Sequence, residues 1–193
     1  MSILIDATGK NCPIPVIMAK NEAENGTENF TIRVDNPVAV ENLKRFGQSR
    51  GYDTEIIQEK SRFDVGFRKN LSFTETGFQG SNESWGIFIT KESIGEGSPD
   101  LGASLLNMFL FTLTQDKTPP DYVLFMNAGV KLAVENNQVV EHLKVLIDKG
   151  TSVLVCGTCL NFYSLTDQLQ AGTVSNMYDI VDAMKSVKKL VTI

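Results

Sequence analysis

The chain has one histidine, one tryptophan and three cysteines among its 193 residues. A structural zinc site needs four ligands, and three cysteines and one histidine are all that the chain offers, at spacings unlike any zinc motif. His142 has no aspartate or asparagine evidently arranged behind it, so a Cys-His hydrolase is not indicated and a surface helix position is expected for it. An odd cysteine count, with two of the three in a C-x-x-C, does not make the framework of a secreted disulfide-rich domain. Long hydrophobic runs are also missing. None reaches the ~20 residues of a membrane-spanning helix, and the longest candidate, residues 101–113, reads as a buried helix. The first residues show no basic segment followed by a long apolar one, so no signal peptide is expected. Basic excess is absent too. With 18 Lys and Arg against 23 Asp and Glu, the net charge of −5 argues against general nucleic-acid binding. The nearest basic group, Lys60, Arg62, Arg68 and Lys69, is expected to be a solvated strand edge. No internal repeat or low-complexity tract interrupts the chain. These absences point to the cytoplasm, where thiols stay reduced.

What remains is an α/β pattern in two halves. Residues 3–5 form a short apolar run, a helical stretch follows from Pro13 to about residue 25, and residues 30–34 alternate as a half-buried strand does. Asp35 and Asn36 are N-cap candidates ahead of Pro37, which suits a first helical position. The helix they open carries Val38, Val40, Leu43 and Phe46 on one face, and strands at 52–58 and 62–67 close the half. The expected fold is a two-layer α/β sandwich of order βαβαββ over residues 1–70. Residues 70–84 are polar and glycine-bearing, with the linker proper read at 71–83; a flexible stretch of about 15 residues spans roughly 20–25 Å. From residue 84 to 193 buried strands at 85–90, 122–126, 152–155 and 190–193 alternate with helices. That pattern implies right-handed crossovers and a doubly wound parallel sheet.

The first stretch with chemistry is GKNCPIPV at residues 9–16. With the helix opening at Pro13, Cys12 is expected at its N-cap, and Pro13 and Pro15 fix where the helix begins without costing an intrahelical hydrogen bond. The helix dipole favours an anion there by ~0.3–1 kcal/mol, which raises the thiolate share of Cys12; Lys10 stands close by in sequence. DATGKNCPIP at residues 6–15 resembles the D-x-x-G-x-x-C-P-x-P signature of the TusA/SirA-like sulfur-carrier family, and the resemblance continues through Asp35-Asn36-Pro37. It implies that Cys12 carries sulfane sulfur as a persulfide, that Asp6 and Gly9 shape the approach loop, and that Pro13 and Pro15 set the helix start. Thr8 and Lys10 stand where many members have arginine and leucine.

The second stretch is CGTC at residues 156–159, at the carboxyl end of an apolar strand, where open α/β sheets place their sites. By residue type alone it reads as a redox dithiol, with residues 161–170 supplying a helix, or as two partly buried structural cysteines. The runs WGIFIT at 85–90, GVKLAVE at 129–135 and LIDKGTSVLVCGTC at 146–159 resemble the DsrE/DsrF-like family. That resemblance implies a sulfur-relay role for Cys156, a companion role for Cys159, and self-association through this half. The loop GEGSPDLG at 95–102 precedes a helix but lacks the lysine and serine of a phosphate loop.

In this order the two halves resemble YedF-like proteins, including those associated with selenium metabolism. The resemblance implies a cytosolic carrier or transferase of sulfur or selenium, loaded by a cysteine desulfurase-type donor and unloaded onto a thiol-bearing acceptor protein, with relay from Cys12 through Cys156 as an option. No metal or other cofactor is implied; the persulfide or perselenide is the cargo. Two other functions fit the same residues: a thiol-disulfide oxidoreductase working through Cys156 and Cys159, and a non-catalytic adaptor that needs none of the three thiols.

Overall fold

The computed structural model of the protein describes residues 3–72 and 84–193. Most of the linker expected at 71–83 therefore lies outside the described residues. The chain divides into two compact units, Met1–Gln79 and Gly80–Ile193.

In the first unit β1 (Ile3–Asp6), α1 (Ile14–Glu24), β2 (Asn29–Val34), α2 (Pro37–Ser49), β3 (Tyr52–Glu59) and β4 (Arg62–Lys69) follow the expected order. The strands lie as β1-β2-β4-β3. β1 runs parallel to β2, and the other pairs are antiparallel. Alternation in β2 buries Phe30, Ile32 and Val34, which join Val65 and Phe67 of β4 and Ala19, Val40 and Leu43 of the helices in one core. Phe30 stacks on Phe67 with ring centroids 4.6 Å apart. Arg33 and Asp64 face each other across β2 and β4 and form a two-pronged ion pair, with both N–O distances 2.7 Å.

α2 starts as its sequence indicates. The Asn36 side chain accepts from the Val38 N–H at 2.8 Å, and Pro37 follows the cap. Val38, however, is 63% exposed, because the inward stripe of this helix is Ala39, Val40, Leu43 and Gly47. The basic residues Lys60, Arg62, Arg68 and Lys69 are solvated as expected, but not along a strand edge. Lys60 lies at φ +55° between β3 and β4, while Arg68 and Lys69 end β4, an interior strand of the sheet.

The second unit is a five-stranded parallel sheet in the order β8-β7-β6-β5-β9. Its elements are β5 (Trp85–Ile89), α3 (Pro99–Thr114), β6 (Tyr122–Phe125), α4 (Asn137–Asp148), β7 (Ser152–Cys156), α5 (Gly157–Phe162), β8 (Thr173–Ser175), α6 (Met177–Ser186) and β9 (Lys189–Thr192). Ile87, Ile89, Leu124, Phe125 and Val155 of the sheet pack with Leu106 and Leu110 of α3 and Val140, Leu143 and Leu146 of α4. Strand order reverses at β5: successive strands step outward to β8 on one side, and β9 returns on the other. That reversal puts the carboxyl ends of β5, β6 and β7 side by side, the edge at which open α/β sheets bind ligands.

Three expectations change in this unit. Residues 101–113 are not buried all round; Leu106, Leu110 and Leu113 point inward, whereas Leu101 and Leu105, one turn apart on the other side, are 59% and 40% exposed. His142 is half-buried rather than solvated, its ring 5.4 Å from that of Phe111, and desolvation holds its pKa below the ordinary histidine value. The helix begins inside CGTC, at Gly157, and ends at Phe162, short of the expected residues 161–170; Thr166–Gln168 is a separate 3-10 turn. A 3-10 segment at Asn127–Ala133 and the short strand β8 had no clear periodic signal.

Candidate functional sites

In the first unit the segment between β1 and α1 presents Cys12, which is exposed. The structure corrects its place: Pro13, joined to Cys12 by a cis peptide bond, is the residue at the N-cap of α1, and it makes no side-chain cap hydrogen bond. Cys12 thus stands one position outside the helix. Pro15 is buried in the first turn and anchors that end of α1 in the core.

Four side-chain hydrogen bonds shape the segment. Asp6 Oδ1 accepts from the Thr8 N–H at 2.9 Å and from the Thr8 hydroxyl at 2.7 Å. These bonds, the hydroxyl first, hold the Asp6 carboxyl below the usual carboxylate range. Gly9 turns the chain at φ +69°, a conformation that suits glycine, and its N–H donates to Asp35 Oδ2 at 3.0 Å. The Asn42 side-chain amide of α2 donates to Cys12 Sγ at 3.4 Å. Asp35 was legible as a helix-cap candidate and as part of the resemblance but not as a partner of Gly9, and Asn42 gave no signal, because its partner lies 30 residues away in the chain. An N–H aimed at sulfur is a donor from which a persulfide carried there can accept.

In the second unit Cys156 closes β7 and is only 1% exposed, while Cys159, two residues into α5 from its first residue, is half-buried. Both are free thiols. Burial, and then the neighbouring Cys156, push the Cys159 thiol up; the backbone N–H of Asn127, 3.2 Å from its Sγ, acts against them. Asn127 follows β6 at φ +49°, the left-handed region, and the Tyr163 hydroxyl donates to its Oδ1 at 3.2 Å. Lys131 places its ammonium 4.8 Å from the centre of the Tyr163 ring and pairs with Glu92 at 3.1 Å. Asn127, Tyr163 and Lys131 went unremarked in the sequence, although an asparagine directly after an apolar strand is itself a mark of a left-handed turn. The glycine-bearing loop folds onto its own helix: Ile94 N–H donates to the Gly102 carbonyl at 3.1 Å, and Ser98 caps α3.

Residues 3–69 match the family described as sulfurtransferase TusA, and residues 94–193 match the DsrE/DsrF-like family. A candidate sulfur carrier protein of Methanocaldococcus jannaschii is 37% identical over 68 residues, which cover 34% of this chain and 91% of that protein. The chain joins a TusA-family domain to a DsrE/DsrF-like domain. Among solved structures, a SirA-like protein of Desulfitobacterium hafniense is 36% identical, covering 35% of this chain and 97% of that one, with a TM-score of 0.33. The ychN protein of E. coli is 16% identical, covering 57% of this chain and 99% of that one, with a TM-score of 0.45. Membership supports a sulfur-carrier role for the TusA-type domain. Among the described residues no helix is long and apolar enough to cross a membrane, and no group of three or more His, Cys, Asp or Glu is placed to hold a metal ion.

Proposed function

We propose that the protein is a sulfur carrier in which Cys12 holds sulfane sulfur as a persulfide between a cysteine desulfurase-type donor and a thiol-bearing acceptor protein. The observation that carries this reading is an exposed thiol with a side-chain amide donating to its sulfur, in a domain of the TusA family. The Cys12 thiolate attacks the terminal sulfur of the donor persulfide; that S–S bond breaks, the donor cysteine leaves as thiolate, and Cys12 gains one sulfur atom. The acceptor thiolate repeats the attack on the outer sulfur and restores the Cys12 thiolate. Asp6, Thr8, Gly9 and Asp35 hold the segment, Pro13 and Pro15 fix the start of α1, and Asn42 steadies the charged sulfur. Selenium in place of the outer sulfur would travel by the same two attacks.

Onward transfer to the cysteines of the DsrE-like domain, in the same chain or in a second copy, belongs to this reading. So does self-association through that domain, for which Leu101 and Leu105 offer exposed apolar side chains on α3.

The test is intact-protein and peptide mass spectrometry after incubation with a cysteine desulfurase and cysteine, on wild type and on Cys12→Ser, Cys156→Ser and Cys159→Ser. One added sulfur that vanishes with Cys12→Ser supports the carrier; sulfur uptake unchanged in Cys12→Ser refutes it. Loading of the second domain that persists undiminished in Cys12→Ser refutes the relay alone.

A further inference from the structure

The cysteine expected from resemblance to act in the second domain is the one that solvent cannot reach. Cys156 is sealed at the end of β7, so an incoming persulfide meets Cys159 first. The surroundings of Cys159 are arranged around its sulfur. A non-glycine residue at positive φ is uncommon, and such backbone persists where neighbouring structure holds it. Asn127 is held there by the 3-10 segment that follows β6 and by Tyr163, and the result is a backbone N–H aimed at Cys159 Sγ. The Tyr163 ring is in turn backed by the Lys131 ammonium, which Glu92 fixes from beyond β5. The buried Cys156 thiol neighbours Cys159 closely enough to push its pKa up.

We propose that Cys156 and Cys159 form a reductive release site, in which Cys159 takes sulfane sulfur from a persulfide and the buried Cys156 expels it as hydrosulfide. The inference rests on the sulfur-carrier reading for the class of its substrate, and it reverses the order of roles that resemblance implied.

The steps balance with two thiols and one sulfane sulfur. Cys159 loses its proton and attacks the outer sulfur of a persulfide R–S–SH; the donor S–S bond breaks, R–SH leaves with the proton, and Cys159–S–SH forms. Cys156 then gives up its proton, which water or the departing sulfur takes, and attacks Cys159 Sγ as thiolate. The bond from Cys159 Sγ to the outer sulfur breaks, hydrosulfide departs with the electron pair, and a Cys156–Cys159 disulfide remains. The sulfane sulfur has gained two electrons and the two cysteines have lost them. A cellular dithiol reductant, or two equivalents of a small thiol, returns the pair to its starting state.

The geometry suits this direction of electron flow. A dithiol whose reduced form is stabilised as thiolate makes an oxidising couple, whereas one whose thiols keep their protons gives up electrons readily. Burial keeps the proton on Cys159 at rest. The Asn127 N–H strengthens its bond when Cys159 loses its proton, so it favours the thiolate that attacks over the resting thiol.

The experiment uses the full chain with Cys12→Ser, so that sulfur on the first domain does not enter the count. The reduced protein is treated with glutathione persulfide, released sulfide is quantified, and peptides are mapped without reduction. Expected are one sulfide per chain and a Cys156–Cys159 disulfide. Cys12→Ser/Cys159→Ser is expected to lose both release and uptake. Cys12→Ser/Cys156→Ala is expected to retain sulfur as a persulfide on Cys159 with release at least tenfold slower. Tyr163→Phe in the Cys12→Ser background, which keeps both thiols, is expected to slow release with an unchanged end-point. Uptake on Cys156 when Cys159 is absent, or sulfide release without an internal disulfide, overturns the proposal. Neither result touches the carrier reading, which is decided on the Cys12 peptide of the wild type.

Discussion

Asn42→Leu is the most direct probe of the first site. The substitution keeps approximate volume on α2 and removes the side-chain donor that lies 3.4 Å from Cys12 Sγ. An intramolecular hydrogen bond contributes about 0.5–1.5 kcal/mol net, and exposure of Cys12 to competing water places this one in the lower half of that range. At about 1.4 kcal/mol per tenfold change, a loss of about 0.5–1 kcal/mol becomes a two- to fivefold fall in the rate at which Cys12 reacts. Two rates read it at a fixed pH: sulfur loading from a desulfurase, and alkylation of Cys12 by iodoacetamide followed on its own peptide. Asn42→Asp should fall further, because a carboxylate repels the reacting thiolate, and added salt should restore part of the loss. The unfolding free energy of Asn42→Leu should stay within about 0.5 kcal/mol of wild type, as for a substitution outside the core. Loading and alkylation both at the wild-type rate would show that the amide does not act on the sulfur, and the account of this site would fail.

Three further outcomes are expected. Gly129→Ala would place a Cβ 2.5 Å from the Ile89 carbonyl oxygen, which is backbone and cannot swing away, so urea denaturation should show a loss of about 1–3 kcal/mol. His142 has its folded pKa depressed by burial, so its contribution to stability is complete above the unfolded value of about 6.5 and is lost as pH falls through the folded one. His142→Gln should therefore lose less stability than wild type between about pH 7.5 and 5.5, and equal losses would refute the assignment. Leu101→Glu combined with Leu105→Glu should lower the molar mass measured by light scattering if α3 packs against a second copy; an unchanged multimer would put that contact elsewhere.

Much of the fold was legible because both units repeat simple periods. The alternation at residues 29–34 put Phe30, Ile32 and Val34 on one face, and Asn36 with Pro37 marked a helix start that hydrogen bonding then used. Helix faces were less legible. Val38, Leu101 and Leu105 are apolar residues that a pattern of types assigns to the core, yet each stands on the outer side of its helix. Cys12 and the CGTC pair could be read as chemical positions from their neighbours in sequence. Their partners could not: Asn42 reaches Cys12 across 30 residues and Asn127 reaches Cys159 across 32. Those contacts arise from strand order and helix crossing, which periodicity along the chain does not carry. The relative exposure of Cys156 and Cys159 was equally hidden, because it depends on how β7 ends beneath α5.

The segment bearing Cys12 is fastened at the second helix twice, through Gly9 to Asp35 just ahead of its cap and through the thiol to Asn42 within it. Fastening works in both directions, since binding free energies are reciprocal. If the charged outer sulfur draws the Asn42 amide more tightly than the resting thiol does, loading must stabilise α2 by the same amount that α2 stabilises the load. Backbone amides in the first turns of α2 would then exchange with deuterium more slowly in the persulfidated protein than in the free one. An acceptor could sense cargo through the stiffness of a helix and not only through the sulfur it displays.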